Sequence, residues 1–257
     1  MRAVLEPLPA LAVAVSGGVD SLTLLAFAAH HRGPQRAVRA FHAASAAVPP
    51  EATERTRALA ASLGVELVLL DVGELSDARY ASNPLDRCYT CKSRLYDGIA
   101  AAPHARGAVV VSGTNVEDLG DFRPGLRAAE ERAVRHPYVE AGLGKAEVRA
   151  LARALGLGAL AELAAQPCLA SRVETGIAID AALLRAVDDV ERRARHLLGQ
   201  TAAVRCRVRA GRAELEVDQD ALSTADLPAL RAAMAGAALE IADVVPYRKG
   251  SAFLRVL

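Results

Sequence analysis

The chain has no tryptophan, few aromatic residues (4%) and only four cysteines in 257 residues. It also lacks any apolar run near the roughly 20 residues that span a bilayer, so no membrane helix is expected. The opening Met1-Arg2-Ala3-Val4-Leu5-Glu6-Pro7 has no basic stretch leading into a long apolar core. No secretory leader is therefore expected, and the protein reads as cytoplasmic. An excess of charge of one sign is missing too, because 31 basic and 30 acidic residues leave a formal net charge of +1. That excludes a field strong enough to hold nucleic acid non-specifically, while leaving room for a local patch. So few cysteines in a reducing compartment read as ligands, reactive thiols or core filler rather than staples. Lysine occurs only at Lys92, Lys145 and Lys249, a scarcity that biased base composition explains.

What remains is an alanine-rich globular composition, 52% hydrophobic and 24% charged, long enough for one large domain or a mid-sized domain plus a small one. The first half alternates apolar runs with helical patterns. Strands are expected at 11–15, 37–44, 65–72 and 108–111, with helices at 21–31, 50–63 and 145–155. Strands apolar throughout suit a parallel sheet with helices on both faces. A long segment between the third and fourth strands holds Asn83-Pro84-Leu85-Asp86-Arg87-Cys88-Tyr89-Thr90-Cys91-Lys92 and reads as a functional insertion. The texture changes after Ile179. A helix is expected at 181–198, then strictly alternating strands at 204–208 and 213–217 with a turn at Ala210-Gly211, a helix at 228–238 and a last strand at 252–256. The fold class is thus α/β, a doubly wound parallel sheet over 1–176 and a smaller α+β domain over 177–257.

Ser16-Gly17-Gly18-Val19-Asp20-Ser21 carries the strongest signal. It falls where a buried strand meets a helix, at the carboxyl edge of the sheet, the ligand position of open α/β folds. Gly17 and Gly18 let backbone approach a polyphosphate, and the helix N-terminus supplies amides and a positive dipole end. Ser16 and Ser21 add hydroxyls, and Asp20 suits Mg²⁺. No Gly-Lys-Ser/Thr follows, so γ-phosphoryl transfer is not the expected reaction. At the same edge, Gly113-Thr114-Asn115 follows the fourth strand, with Asp118 for Mg²⁺ or phosphate, Arg123 for an anion, and Glu130 or Glu131 on the segment beyond.

The cysteines leave several readings open. Cys88 and Cys91 make a CxxC that reads as a redox pair, half a zinc site, two buried thiols, or two ligands of a [4Fe–4S] cluster completed by Cys168 with one iron left open. A redox pair normally opens a helix directly after a strand, and this segment reads as a loop. Cys168, in Gln166-Pro167-Cys168-Leu169-Ala170-Ser171-Arg172, reads as a ligand or a sulfur donor. Cys206 shares a strand face with Val204 and Val208 and reads as core. The opposite face carries Arg205, Arg207 and Arg209, which read either as an anion-binding row or as a solvated face.

SGGVDS is the signature of the PP-loop ATP pyrophosphatases (adenine nucleotide alpha hydrolase-like), which the N-terminal half resembles. Members attack the α-phosphorus of ATP with a substrate oxygen and release pyrophosphate. Together with NPLDRCYTCK, SGTNVEDLGDFRPGLRA, GLGKAEVRALARALGL, PCLASR, RCRVRAGRAELEV and YRKGS, the chain resembles the LarE family of sulfur transferases of nickel-pincer nucleotide biosynthesis over nearly its whole length. The resemblance implies a small nucleotide substrate, pyridinium-3,5-biscarboxylic acid mononucleotide, adenylylated with ATP and Mg²⁺ and then thiolated, with a separate sulfide donor. It implies ATP contacts from Ser16, Gly17, Gly18, Asp20, Ser21, Gly113, Thr114 and Asn115. It also implies a [4Fe–4S] cluster on Cys88, Cys91 and Cys168, in place of a version that sacrifices the CLASR cysteine. Arg205 and Arg207 would grip the nucleotide phosphate, with Arg123, Ser171, Arg172 and Arg248 near the substrate, in a homo-oligomer. The chain departs from the family at Val173-Glu174-Thr175-Gly176, where a Pro-Tyr-Gly-like segment is usual, and in having no tryptophan. The rival readings are a tRNA thiolase, an ammonia-using amidating synthetase and a degenerate ATP-binding regulator. The near-neutral charge and the lack of an appended RNA-binding domain argue against the first.

Overall fold

The computed structural model describes residues 1–32, 36–164, 166–199, 202–209 and 212–247. The chain packs as two compact units. One holds residues 1–74 and 86–165, and the other holds 75–85 with 166–257.

In the first unit, α1 (Arg2–Leu5) precedes β1 (Leu11–Ala14), α2 (Val19–His31), β2 (Val38–Ala43), α3 (Pro50–Ser62) and β3 (Glu66–Leu70). In the second unit lies α4 (Ala78–Ala81), after which the first resumes with α5 (Arg87–Ala101), β4 (Val109–Ser112), α6 (Pro124–Glu130), α7 (Pro137–Glu140) and α8 (Lys145–Ala154). Its four strands are all parallel in the order β3-β2-β1-β4. Successive residues of β1 point to opposite faces, and both faces are dry. Leu11 and Val13 join a core with Leu22 and Leu25 of α2, Leu59 of α3 and Val148 of α8. Ala12 and Ala14 join another with Phe41 and with Leu95, Tyr96 and Ile99 of α5. A continuously apolar strand is what a sheet helix-covered on both sides requires, since each large buried side chain contributes roughly 1.5–3 kcal/mol only if water is excluded from both faces.

The segment 87–101 is helix, which corrects its reading as a loop. Its buried positions include Arg87, Thr90, Ser93, Tyr96 and Ile99, spaced by threes. Three of these five are polar, so the helical period does not show as an apolar one.

In the second unit, α9 (Ala181–Leu198) starts at Asp180, whose carboxylate accepts from the Leu183 amide, and stops at Gly199 with φ +95°. It buries Leu184, Val187, Val190 and Ala194. β5 (Val204–Arg209) pairs antiparallel with β6 (Arg212–Val217), which pairs parallel with β7 (Ile241–Pro246). Between β6 and β7 run α10 (Gln219–Thr224), capped by Asp218, and α11 (Leu227–Met234), capped by Asp226. The turn at 210–211 and the strand expected at 252–256 lie outside the described residues, and β7 is a strand the sequence reading did not name. Among the described residues no helix is long and apolar enough to cross a membrane.

Candidate active site

In the order β3-β2-β1-β4 the chain runs outward from β1 through β2 to β3, then crosses back to place β4 on the other side of β1. The carboxyl ends of β1 and β4 flank the point where the order reverses, the crevice in which open α/β sheets hold ligands. Residues 15–21 leave β1 into α2, and residues 113–118 leave β4 beside them.

The first loop is knit by its own hydroxyls. Ser21 Oγ donates to the Gly18 carbonyl (3.1 Å), the Ser16 amide donates to Ser21 Oγ (3.0 Å), and the Ser16 and Ser21 hydroxyls lie 3.1 Å apart. Gly17 adopts φ +79°, and a Cβ there would stand 2.5 Å from the Ala52 carbonyl of α3, so only glycine fits. No side chain caps α2 at Gly18. Its first amides are therefore available to an anion at the positive end of a 13-residue helix. Behind the loop, His42 Nδ1 lies 2.8 Å from the Val15 carbonyl and Nε2 lies 2.9 Å from Thr53 Oγ1. Burial pushes the His42 pKa down, against the pull of the Val15 carbonyl, so the ring is held neutral.

Asp20 is held from two neighbouring elements. Its Oδ2 pairs with Lys145 Nζ, the first residue of α8, and its backbone carbonyl accepts from the Tyr138 hydroxyl (3.0 Å). Its Oδ1 is buried with no hydrogen-bond partner. A carboxylate oxygen in that state leaves a position for a cation.

The second loop comes within contact of the first. A Cβ on Gly113 would stand 2.8 Å from the Ser21 amide nitrogen. Thr114 Oγ1 lies 3.1 Å from Ser112 Oγ, which lies 2.8 Å from His136 Nδ1. Asn115 and Asp118 bind each other reciprocally. The Asn115 amide donates to Asp118 Oδ2 (3.1 Å), and the Asp118 amide donates to Asn115 Oδ1 (3.3 Å). Arg123 pairs with Asp118 (2.7 Å) and Asp121 (3.2 Å). Glu131 accepts from the Tyr89 hydroxyl (2.6 Å).

Cys88 and Cys91 sit in the first turns of α5, three residues apart and so on one face of the helix. Cys88 is exposed and Cys91 half-buried, and neither is in a disulfide. The pair thus does open a helix, but not directly after a strand, because β3 ends at Leu70 and α4 lies between, so that part of the objection to a redox pair stands. The start of α6 lies against this turn, since a Cβ on Gly125 would stand 2.9 Å from Lys92 Cγ and 3.6 Å from the Cys88 carbonyl. Arg127 of α6 stacks over the Tyr89 ring at 4.1 Å.

In the second unit, Cys168 is half-buried at the start of a short turn over Leu169–Arg172. Arg172 forms a bidentate pair with Glu191 of α9, Nε to Oε1 at 2.7 Å and Nη2 to Oε2 at 3.0 Å, both side chains 1% exposed. Arg205 and Arg207 do not form a solvated face, being 6% and 4% exposed. Arg207 pairs with Glu216 (2.9 Å) and donates to the Ser171 carbonyl (2.8 Å). Arg205 lies over the Tyr247 ring at 5.8 Å, and burial, then the nearby Arg172, push its pKa down to about 10. Cys206 is core, and burial pushes its thiol up to about 12. Asn83, fully buried at φ +55°, donates from Nδ2 to the carbonyls of Glu174 (2.8 Å) and Ile177 (3.0 Å). Arg248 lies outside the described residues. Within either unit, no three His, Cys, Asp or Glu side chains among the described residues are grouped to hold a metal ion.

Sequence reasoning did not single out Lys145, His42, His136, Asn83 or Glu191. Lys145 had one usable signal, a lysine at a helix start in a chain that otherwise prefers arginine.

A parallel sheet carries a glycine-turned, hydroxyl-laced helix start and a paired acid at its carboxyl edge, which defines an α/β protein with its candidate site at that edge. No protein-family model matches the chain. The chain belongs to the family of the uncharacterized protein slr1717 of Synechocystis, with which it is 39% identical over 208 residues, 80% of this chain and 76% of that protein. It is 35% identical over 156 residues to the pyridinium-3,5-bisthiocarboxylic acid mononucleotide synthase of Lactiplantibacillus plantarum, covering 60% of this chain and 56% of that enzyme. It is 30% identical over 139 residues to the uncharacterized protein MJ0830 of Methanocaldococcus jannaschii, covering 54% and 53%. The matched stretches thus span about half the length of the last two relatives.

Proposed function

We propose that this protein is an ATP-dependent sulfur transferase acting on pyridinium-3,5-biscarboxylic acid mononucleotide. A substrate carboxylate oxygen attacks the α-phosphorus of ATP, pyrophosphate leaves, and a mixed anhydride with AMP forms. A sulfide then attacks the carboxyl carbon, AMP leaves with the bonding pair, and a thiocarboxylate results. The observation that carries this reading is the uncapped start of α2, bounded by Gly17, Gly18 and Gly113 and backed by the Asp20–Lys145 pair. The Lactiplantibacillus relative, a pyridinium-3,5-bisthiocarboxylic acid mononucleotide synthase, supports the substrate class.

The residues divide by role. Ser16, Gly17, Gly18, Ser21, Gly113, Thr114 and Asn115 are proposed to cradle ATP through amides and hydroxyls. Asp20 is proposed to hold Mg²⁺, whose position the unpartnered Oδ1 would complete. Arg205 and Arg207 are proposed to take the nucleotide phosphate. The depressed pKa of Arg205 supports this, because an incoming dianion would relieve it. Arg123, Ser171 and Arg248 complete the proposed substrate set. In this reading the first unit activates the substrate and the second supplies most of the groups that bind it, in a cytoplasmic homo-oligomer served by a separate sulfide donor.

Cys88, Cys91 and Cys168 are proposed as the ligands of a [4Fe–4S] cluster on the chemistry of their thiols alone; when bound, it would supply one iron open to hydrosulfide. The decisive experiment is anaerobic purification followed by reaction with ATP, Mg²⁺, the dicarboxylate nucleotide and sulfide. AMP, pyrophosphate and a sulfur-containing product are expected, with iron and acid-labile sulfide in the protein. Formation of ADP would refute the reaction class. A colourless protein whose Cys168 becomes dehydroalanine would replace the cluster by sacrifice of that residue.

A further inference from the structure

We infer that Glu191 is a positioning residue for Cys168, acting through the guanidinium of Arg172. The inference deepens the proposed function, resting on the reading that Cys168 handles the transferred sulfur.

One edge of Arg172 closes around the loop that carries the cysteine. Its Nη1 donates to the Pro167 carbonyl (2.7 Å), the Cys168 carbonyl (3.3 Å) and Ser171 Oγ (3.1 Å). These acceptors lie on both sides of Cys168 in the chain, so a single planar group sets the path of the backbone through that residue. The other edge is aimed by Glu191. Both Glu191 oxygens are used by the fork, and they reach further. Oε1 accepts from the Cys206 amide of β5 (3.0 Å), and Oε2 accepts from Arg195 one turn along α9 (3.3 Å). Glu191 is therefore fixed to a helix and a strand, and Arg172 is fixed to Glu191.

A buried ion pair adds little net stability over apolar filler of the same shape. What it does add is direction. Leucine or methionine in place of Arg172 would fill the space, but could not hold two carbonyls and a hydroxyl at set distances. Every nitrogen of Arg172 is already engaged, and its side chain is 1% exposed. Arg172, which the resemblance implies near the substrate, is thus part of the scaffold of the cysteine loop.

The test is the rate at which iodoacetamide labels Cys168 in the full-length chain freed of iron, read from the mass of its peptide, beside the steady-state constants of sulfur transfer in the loaded protein. Glu191→Gln should label about tenfold faster as the loop opens locally. Its kcat for sulfur transfer should fall about 10²-fold through misplacement of the sulfur, with KM for ATP unchanged. Arg172→Lys should behave alike, because an ammonium cannot span both sets of acceptors. Glu191→Asp should lie between variant and parent. Cys206→Ala keeps the backbone amide that Glu191 binds and should label at the parent rate. Parent-like labelling in a folded Glu191→Gln protein would overturn the inference. Should that variant not fold, parent-like labelling in both Arg172→Lys and Glu191→Asp would overturn it instead. Failure of the parent chain to transfer sulfur refutes the proposed function, while the labelling rates judge the loop by themselves.

Discussion

Replacing Gly113 by alanine tests the claim that the loops after β1 and β4 share one site. Gly113 has no left-handed φ, so its identity is a matter of space alone. An added Cβ would stand 2.8 Å from the Ser21 nitrogen, 2.9 Å from the Asp20 carbonyl carbon and 3.0 Å from the Ser21 Cα. All three atoms are backbone, so nothing can swing aside. Ordinary contact starts at 3.4 Å, and the two loops would have to part by about 0.6 Å. Overpacking of this kind costs about 1–3 kcal/mol. For a chain of this size that lowers Tm by roughly 4–8 °C at the middle of the range. Gly120→Ala is the matched control, seven residues on in the same segment, with nothing within 4 Å of its Cβ. Both would be melted with and without ATP and Mg²⁺. Saturating ligand stabilises the parent by about 2.7 kcal/mol at a hundredfold excess over Kd. Gly113→Ala should lose much of that gain, because the amides at the start of α2 move with Ser21. If Gly113→Ala melts with the parent and keeps the full nucleotide shift while Gly120→Ala does the same, the two loops do not form one site.

Two further outcomes follow from groups described above. Lys145→Met leaves the Asp20 carboxylate without its cation. It should lower pyrophosphate release about 10²–10³-fold, read in a coupled pyrophosphate assay, at a stability cost of about 1 kcal/mol. His42 has a folded pKa below its ordinary 6.5, so its stabilising effect is complete above pH 6.5 and is lost as pH falls below that value. Thermal melts between pH 7.5 and 5.5 should show the loss, and a folded His42→Gln protein should show a flatter profile.

Much of the fold was legible because it rests on local pattern. β1 is an unbroken apolar run, and α9 carries its own stop at Gly199, so the expected ends of that helix match those observed. α5 was not legible, since Thr90 and Ser93 occupy its buried face and break the apolar period. β7 ends in proline and carries Asp243 mid-strand, so neither run nor alternation announces it. The SGGVDS cradle was legible because its parts are neighbours in sequence. Its counter-charge was not, for Lys145 lies 125 residues from Asp20 and only the folded sheet edge brings them together. The arginines of β5 read either as an anion-binding row or as a solvated face. That Arg207 is buried goes with Glu216 across the sheet and with the Ser171 carbonyl, neither visible in a strand's own alternation.

The chain passes from one compact unit to the other three times, at about residues 74, 85 and 165. No single cut can free either unit intact. A fragment beginning at residue 166 would lack the short stretch 75–85, and with it the Asn83 amide that fastens the backbone at 174 and 177. Proteolytic nicking after Leu85 should therefore release no autonomous piece. Swapping the second unit between homologues would have to carry both of its segments together, which makes the pair inherit and fold as one.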